Sequence, residues 1–191
     1  MESKKKWNKL NNSGIILELR NNCFTQQFWN YQFTLLYTII LNHNNFSTEL
    51  TIQNQDQLSF EYQCLFHNYF KISNLSRLRI ANLDDVSYLD QLTREKKSHS
   101  DEVVIDGEID RIYEPTNNCV SILDESKIIK VKTDNKSEVV VWNPWEKKSR
   151  SLGDFEDDDF LNMICVEPGI LTPTTLKPWE TASLKQIISW I

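Results

Sequence analysis

The stretch Ser59-Phe-Glu-Tyr-Gln-Cys-Leu-Phe66 alternates apolar and polar side chains at nearly every position. Successive side chains of a β-strand point to opposite faces, so this alternation predicts a strand with one buried and one exposed face. The apolar face carries Phe60, Tyr62, Cys64 and Phe66, and the polar face carries Ser59, Glu61 and Gln63. The stretch therefore predicts a β-strand within the first half of the chain.

The same period recurs on both sides of this stretch. Strand-like runs cover residues 15–20, 28–41, 46–53, 77–81, 102–113, 119–123, 127–132, 138–142, 163–167 and 184–191. Asn-Asn, Asp-Asn, Asn-Pro and Glu-Pro pairs, which favour turns, lie between them. Only the segments 84–95 and 157–163 fit a helical turn or two. Many short strands at this spacing predict an all-β protein built as an antiparallel β-sandwich or a barrel.

One domain is expected for a chain of 191 residues, which is long enough to form a hydrophobic core. The basic cluster Lys4, Lys5, Lys6 and Lys9 lies at the extreme N-terminus. Terminal charge runs are usually solvated, so residues 1–13 are interpreted as a basic tail and residues 14–191 as a single domain. The acidic run 154–159 lacks the spacing of a calcium loop and is interpreted as a solvated loop.

Composition excludes several classes of function. The net charge of −6 argues against a nucleic-acid partner, because neutralising phosphates needs a basic surface. The four glycines, Gly14, Gly107, Gly153 and Gly169, are too dispersed for a P-loop or a dinucleotide-binding loop. No apolar run reaches the roughly 18 residues of a membrane span, and no signal-peptide core follows the basic start. We therefore expect a cytoplasmic protein without a membrane or nucleic-acid partner.

The four cysteines, Cys23, Cys64, Cys119 and Cys165, are widely separated and form no C-x-x-C pair. This spacing fits neither a zinc site nor a disulfide framework, and it predicts free buried thiols in a reducing compartment. We expect no metal and no other cofactor.

Only three histidines are available for acid–base chemistry. His43 and His99 fall in a turn and in a charged loop, and both are predicted to be exposed bystanders. His67 follows the opening stretch, on the polar face opposite Phe66, beside Asn68 and Tyr69. A purely structural role and a catalytic role for His67 are both open from its position.

Two acidic residues are placed where they could act on a ligand. Glu167 ends the apolar run Met163-Ile-Cys-Val-Glu and precedes Pro168-Gly169, a pair that predicts a turn. It lies either at the solvated end of a strand or in a buried position where desolvation must be compensated. Asp110, in Gly107-Glu-Ile-Asp-Arg-Ile-Tyr113, either forms a surface pair with Arg111 or contacts a ligand. The indoles of Trp142, Trp145 and Trp179 could stack on a sugar ring or serve as packing residues.

Six short elements occur in one order along the chain. They are Leu65-Phe-His-Asn-Tyr-Phe-Lys-Ile-Ser73, the segment 83–90 with Tyr-Leu-Asp, Gly107-Glu-Ile-Asp-Arg-Ile-Tyr113, Val141-Trp-Asn-Pro-Trp145, Asp154-Phe155, and Asn162-Met-Ile-Cys-Val-Glu-Pro-Gly169. This series resembles the glucose-6-phosphate 1-epimerase family, the hexose-6-phosphate mutarotases of the galactose mutarotase-like superfamily. The resemblance covers residues 14–191 and implies a large antiparallel β-sandwich.

The resemblance implies an isomerase that interconverts the α and β anomers of a hexose 6-phosphate without a metal or cofactor. Ring opening removes a proton from the C1 hydroxyl and delivers one to the ring oxygen, and closure reverses both transfers. By similarity, His67 matches the general acid, Glu167 the general base, and Asp110 a substrate-binding aspartate. We expect a monomer.

The sequence departs from the family pattern at its N-terminal end. The family binds phosphate through arginines in an Arg-Gly-Gly motif and a His-Gly-Phe-Ala-Arg-like motif, and nothing in residues 1–20 resembles either. The chain is therefore expected to correspond to the C-terminal part of the family, with an N-terminally incomplete sandwich. Two alternatives stay open: a catalytically impaired sugar-binding β-sandwich of the same family, and an unrelated structural module in which His67 and Glu167 lie far apart.

Overall fold

The computed structural model describes residues 13–116, 119–133, 137–153 and 155–191. Their regular structure is almost entirely antiparallel β-strand, which confirms the predicted all-β class. The predicted basic tail with Lys4, Lys5, Lys6 and Lys9 lies outside the described residues, and so does Asp154. Within the described ranges, no helix is long and apolar enough to cross a membrane.

The described residues divide into two compact units, and each is described by itself. The first unit contains residues 13–64 and 170–188. Its strands are β1 (Ser13–Arg20), β2 (Phe33–Leu41), β3 (Asn45–Asn54), β4 (Phe60–Leu65), the second half of β13 (Met163–Leu176) and most of β14 (Thr181–Trp190). A 3-10 turn covers Thr25–Gln27. Strands β1, β2, β3 and β14 are consecutive neighbours in one sheet. The predicted single domain over 14–191 stays a prediction.

The core of this first unit is aromatic. Phe33, Ile52, Phe60, Tyr62 and Leu176 are buried together. The opening stretch of the sequence supplies Phe60 and Tyr62 from β4, in agreement with its predicted apolar face. The indole of Trp29 packs edge-on against Phe60 with 4.5 Å between ring centroids. Burying such large rings is the main source of stability for a sheet with one solvated face.

The second unit contains residues 65–169 and 189–191. Its strands are β5 (Tyr69–Lys71), β6 (Arg79–Ala81), β7 (Tyr88–Asp90), β8 (Glu95–Lys97), β9 (Ile109–Thr116), β10 (Val120–Asp124), β11 (Lys127–Thr133), β12 (Ser137–Asn143) and the first half of β13. Helix α1 covers Trp145–Ser149, and 3-10 turns cover Leu75–Arg77 and Asp159–Asn162.

The larger sheet of the second unit has the strand order β13, β12, β9, β7, β8, and β5 pairs with β13 on its outer side. A smaller group consists of β11, β10 and β6. Ser73, which follows β5, donates from its backbone and its hydroxyl to the Asp124 carboxylate at the end of β10. Leu78, Ile80, Leu83, Tyr113, Ile122 and Ile164 are fully buried in this unit.

Two sequence-based expectations about secondary structure are wrong. The segment 84–95 has no helix, because Tyr88–Asp90 pairs with residues 111–113 of β9, and Asp85 and Arg94 adopt positive φ angles that end any right-handed helix. The Glu167-Pro168-Gly169 segment is not a turn: β13 continues through it to Leu176. The expected helical turn near residue 160 is confirmed as the 3-10 turn Asp159–Asn162.

Candidate functional site

One row of side chains crosses the larger sheet of the second unit. Tyr69 of β5 pairs with Cys165 of β13, Cys165 pairs with Trp142 of β12, and Trp142 pairs with Asp110 of β9. Residues directly opposite one another on neighbouring strands share a sheet face. Glu167 lies two residues beyond Cys165 on β13 and therefore points to this same face. The β-register thus assembles a tyrosine, a cysteine, an indole and two carboxylates.

A short loop holds His67 against this face. The backbone N–H of Phe66 donates to the Pro168 carbonyl at 3.0 Å, and the side-chain amide of Asn68 donates to the Val166 carbonyl at 3.0 Å. These two hydrogen bonds flank His67 on the loop and Glu167 on the strand. They fix His67 opposite Glu167, although β4 has already ended at Leu65.

The imidazole and the carboxylate are in direct contact. His67 Nδ1 lies 3.3 Å from Glu167 Oε1. The histidine side chain is 49% exposed, whereas the glutamate side chain is only 5% exposed. The pair therefore combines a buried carboxylate with an imidazole that reaches solvent, and a proton can be exchanged between the two groups.

Burial raises the pKa of Glu167 to about 7. The cause is desolvation, because the charged carboxylate loses its water contacts inside the sheet. A hydrogen bond from the Cys165 thiol lowers this pKa, and the negative charge of Asp110 raises it. Glu167 can therefore accept and release a proton near neutral pH, which an ordinary carboxylate does poorly.

Burial also lowers the pKa of His67, because desolvation disfavours the imidazolium. The two pKa shifts have opposite signs but the same consequence, because each favours the uncharged form of its group. Because the groups are in contact, the pair titrates as a unit and holds one proton over a narrow range of pH. Burial raises the pKa of the Cys165 thiol, and the nearby Glu167 carboxylate raises it further.

Aromatic rings border the pair. The Tyr69 ring stacks on the His67 imidazole at 4.7 Å and 10°. Trp142 meets both rings edge-on at about 6 Å, and Phe155 lies 6.0 Å from Tyr69. The Tyr69 side of this group opens on a pocket of about 540 Å³. The rings hold the imidazole plane in place and offer apolar faces of the kind on which a sugar ring stacks.

Asp110 is held by its neighbours on the sheet. The Gln91 side-chain amide donates to Asp110 Oδ1 at 3.1 Å, and the Gln91 backbone N–H donates to the Asp110 carbonyl at 2.8 Å. Lys148 provides a cation nearby: its Nζ lies 5.7 Å from the Trp142 ring and 3.4 Å from a Glu108 oxygen.

The structure brings His67, Glu167 and Asp110 to one face of one sheet. The contact between His67 and Glu167 contradicts the alternative in which the two residues lie far apart. Glu167 is not at a solvated strand end, because β13 continues past it and buries it. Trp142 belongs to the site, whereas Trp145 packs on Phe160 and Trp179 is exposed.

His99 is not an exposed bystander, which corrects the sequence-based expectation. Its Nδ1 donates to the Asp101 carbonyl at 2.6 Å, so its Nε2 accepts from the buried Tyr113 hydroxyl at 3.0 Å. The expectation of buried thiols is wrong for Cys23, whereas Cys64 and Cys119 are half-buried and Cys165 is buried. Cys23 is exposed in a surface turn after β1. All four thiols are free, as predicted.

Cys165 and Tyr69 belong to the site but were not predicted as site residues from the sequence. Cys165 could have been found from its spacing, because residues i and i+2 of a strand share a face and Glu167 is two positions later. The ligand atoms of His67, Cys165 and Glu167 lie within 4.8 Å of one another, close enough to bind one metal ion.

A family model described as aldose 1-epimerase matches residues 2–189 of the chain. Among curated proteins, a "Putative glucose-6-phosphate 1-epimerase" of Cenchrus ciliaris is 31% identical over 162 residues, which are 81% of this chain and 49% of that protein. A protein of the same name from Escherichia coli is 29% identical over 168 residues, 84% of this chain and 54% of that protein. The chain spans about half the length of these curated relatives.

Among solved structures, a "putative mutarotase (YeaD)" from Salmonella typhimurium superposes with a TM-score of 0.83. It is 24% identical in sequence, and the match covers 96% of this chain and 62% of that one. Identity at this level establishes the fold alone. The match confirms the predicted antiparallel β-sandwich of the mutarotase type.

Proposed function

Because this chain belongs to the aldose 1-epimerase family, we propose that it interconverts the α and β anomers of a hexose 6-phosphate by acid–base opening and closure of the sugar ring. The observation that carries the proposal is the 3.3 Å contact between His67 Nδ1 and the buried Glu167 carboxylate. The names of the curated relatives support the 6-phosphate.

Ring opening is a coupled pair of proton transfers. The step uses the tautomer in which the single proton of the pair lies on His67, so that the Glu167 carboxylate takes the proton of the C1 hydroxyl while the imidazolium delivers one to the ring oxygen. The bond between C1 and the ring oxygen breaks, and an open-chain aldehyde forms. A sugar hydroxyl is a weak acid, so removing its proton without protonating the leaving oxygen would build up charge on the substrate.

Ring closure restores the starting protonation state. After rotation about the bond between C1 and C2, the new hydroxyl attacks the other face of the aldehyde. Neutral His67 takes the proton from that hydroxyl, and protonated Glu167 returns a proton to the carbonyl oxygen. No proton is gained or lost over the cycle, which suits a pair that holds a single proton near neutral pH.

The other side chains at the site orient the sugar. Asp110, held by Gln91, accepts a hydrogen bond from a sugar hydroxyl. Trp142 and Tyr69 provide apolar walls for the ring carbons. The stack of Tyr69 on the imidazole keeps the acid aligned with the ring oxygen.

The test is the exchange rate between the anomers of glucose 6-phosphate, measured by NMR saturation transfer with the purified chain. We expect exchange well above the rate without protein. Glu167→Gln and His67→Ala should each lower the catalysed rate by about 100-fold or more, the usual contribution of a general acid or base. Glu61→Gln, an exposed position on β4, is the control for loss of one carboxylate.

Two results would contradict the proposal. Wild-type exchange rates in both site variants would remove the catalytic assignment. Saturable binding of glucose 6-phosphate without faster exchange would favour the alternative of a sugar-binding β-sandwich that has lost catalysis.

A further inference from the structure

We propose that His67, Cys165 and Glu167 form a binding site for a thiophilic divalent cation, with Zn²⁺ as the reference ion, and that its occupation blocks the acid–base pair. The binding half of this proposal depends only on the three side chains. The inhibition half rests on the proposed function.

The three side chains offer the ligand types that zinc prefers. They contribute one imidazole nitrogen, one sulfur and one carboxylate oxygen, a donor set typical of zinc sites in proteins. Harder cations such as Mg²⁺ and Ca²⁺ select oxygen ligands instead. The Cys165 sulfur therefore distinguishes this site from an ordinary acidic pocket.

The distances between the ligand atoms suit a single ion. His67 Nδ1 lies 3.3 Å from Glu167 Oε1 and 3.9 Å from Cys165 Sγ. Tetrahedral zinc with its usual bond lengths separates nitrogen from oxygen by about 3.3 Å and nitrogen from sulfur by about 3.6 Å. Small side-chain rotations would thus close the site, without movement of β13.

The supporting structure keeps these ligands in place. Cys165 and Glu167 are two residues apart in the first half of β13, where β12 pairs with both residues and β5 pairs with Cys165. His67 is held by the flanking bonds of Phe66 and Asn68. The partial exposure of His67 provides an entry path for the ion and leaves a fourth position for water, as in zinc sites with three protein ligands.

A metal ion bound at this site makes the proposed general acid and general base, His67 and Glu167, unavailable for proton transfer. A metal-bound Glu167 oxygen cannot take the proton of the C1 hydroxyl. The contact between the imidazole and the carboxylate is replaced by bonds to the ion. Zn²⁺ is therefore expected to inhibit anomer exchange reversibly, and a chelator to restore it.

Binding is tested with Co²⁺ as a spectroscopic substitute for Zn²⁺ on the full chain. We expect visible d–d bands of tetrahedral cobalt and a near-ultraviolet sulfur-to-cobalt band, both lost on addition of one equivalent of Zn²⁺. Cys165→Ala should remove the sulfur band and weaken Zn²⁺ binding by at least about 100-fold in a competition titration.

Further variants keep the test decisive. His67→Ala changes a half-exposed side chain and should also weaken Zn²⁺ binding. This variant tests the site even if replacing the buried Cys165 disturbs folding. Cys23→Ala and Cys64→Ala remove other thiols and should leave the cobalt spectrum unchanged. A spectrum without tetrahedral bands, or one that survives in Cys165→Ala, would overturn the proposed site.

The activity measurement separates this proposal from the proposed function. Metal binding with no effect on anomer exchange in an active chain would overturn the inhibition. Metal binding by a chain without exchange activity would support the site and count against the proposed function alone.

Discussion

Two aromatic clusters in this protein have similar ring geometry and opposite surroundings. The core aromatic cluster, Trp29, Tyr31, Phe33 and Phe60, has ring centroids 4.5 to 5.7 Å apart in the first unit. The site aromatic cluster, His67, Tyr69, Trp142 and Phe155, has centroids 4.7 to 6.5 Å apart in the second unit. Ring spacing alone does not distinguish a core from a site.

Burial and neighbouring polar groups do distinguish them. Phe60 is 2% exposed and packs with Ile52 and Leu176, whereas Tyr69 is 52% exposed and stacks on an imidazole. The core aromatic cluster excludes water from apolar side chains. The site aromatic cluster instead borders the Glu167 carboxylate, whose desolvation costs free energy of folding. The first arrangement stabilises the fold, and the second maintains a reactive group at the expense of stability.

The largest expected effect is on the free energy of unfolding when one ring of the core aromatic cluster is truncated, compared with truncation of one ring of the site aromatic cluster. Phe60→Ala leaves a cavity in a well-packed core and should lower the free energy of unfolding by about 3 to 5 kcal/mol. Tyr69→Ala should lower it by less than about 1 kcal/mol, because about half of this residue is already exposed to solvent. Urea unfolding of both variants measures the difference. Equal losses of unfolding free energy would show that the two clusters contribute equally to the stability of the fold, contrary to this comparison.

The next effect concerns the stability cost of the buried carboxylate. The pKa of Glu167 rises from 4.5 to about 7 on folding, so the folded state binds the proton more tightly than the unfolded state. Stability is then lost as the pH rises from 4.5 through 7, and the full cost is about 3 kcal/mol. Glu167→Gln should therefore be more stable than wild type above pH 7, and the advantage should shrink toward pH 4.5.

Urea unfolding at several pH values measures this advantage, with Glu61→Gln as the control for the loss of one carboxylate. A stability difference between wild type and Glu167→Gln that stays constant with pH would contradict the desolvated state of Glu167.

A smaller effect is expected at His99, which joins a third group of rings with Tyr88 and Tyr113. His99→Ala leaves the buried Tyr113 hydroxyl without its acceptor and should cost about 1 to 2 kcal/mol. His43→Ala, in the turn between β2 and β3, should change stability by less than about 0.5 kcal/mol. Thermal unfolding of both variants gives the comparison. Equal losses of stability in the two variants would show that the hydrogen bond between His99 and Tyr113 does not stabilise the fold.

The all-β class followed from the sequence because period-2 alternation is a local property of each strand. The apolar face of Phe60 and Tyr62 was predicted for the same reason. The burial of Glu167 was not settled, because Pro168 and Gly169 are local turn signals and pairing of β13 with β12 overrides them. The strand at Tyr88–Asp90 was missed because it exists only through its partner β9.

The candidate site was predicted only through the resemblance to a family. Periodicity placed His67 on a polar face, but its proximity to Glu167 depends on hydrogen bonds made by Phe66 and Asn68 to a strand about 100 positions later. Such long-range register is absent from local patterns. The pairing of Gln91 with Asp110 and the stack of Tyr69 on His67 were missed for the same reason.

The pH dependence of kcat/KM for anomer exchange tests most directly whether His67 and Glu167 act as one acid–base pair. A pair that works with a single shared proton predicts a bell-shaped profile, with an acid limb below pH 6.5 and an alkaline limb near pH 7. The alkaline limb is decisive, because the second pKa of a phosphate monoester, about 6, lies below it. A profile that stays flat above pH 7 would contradict the account.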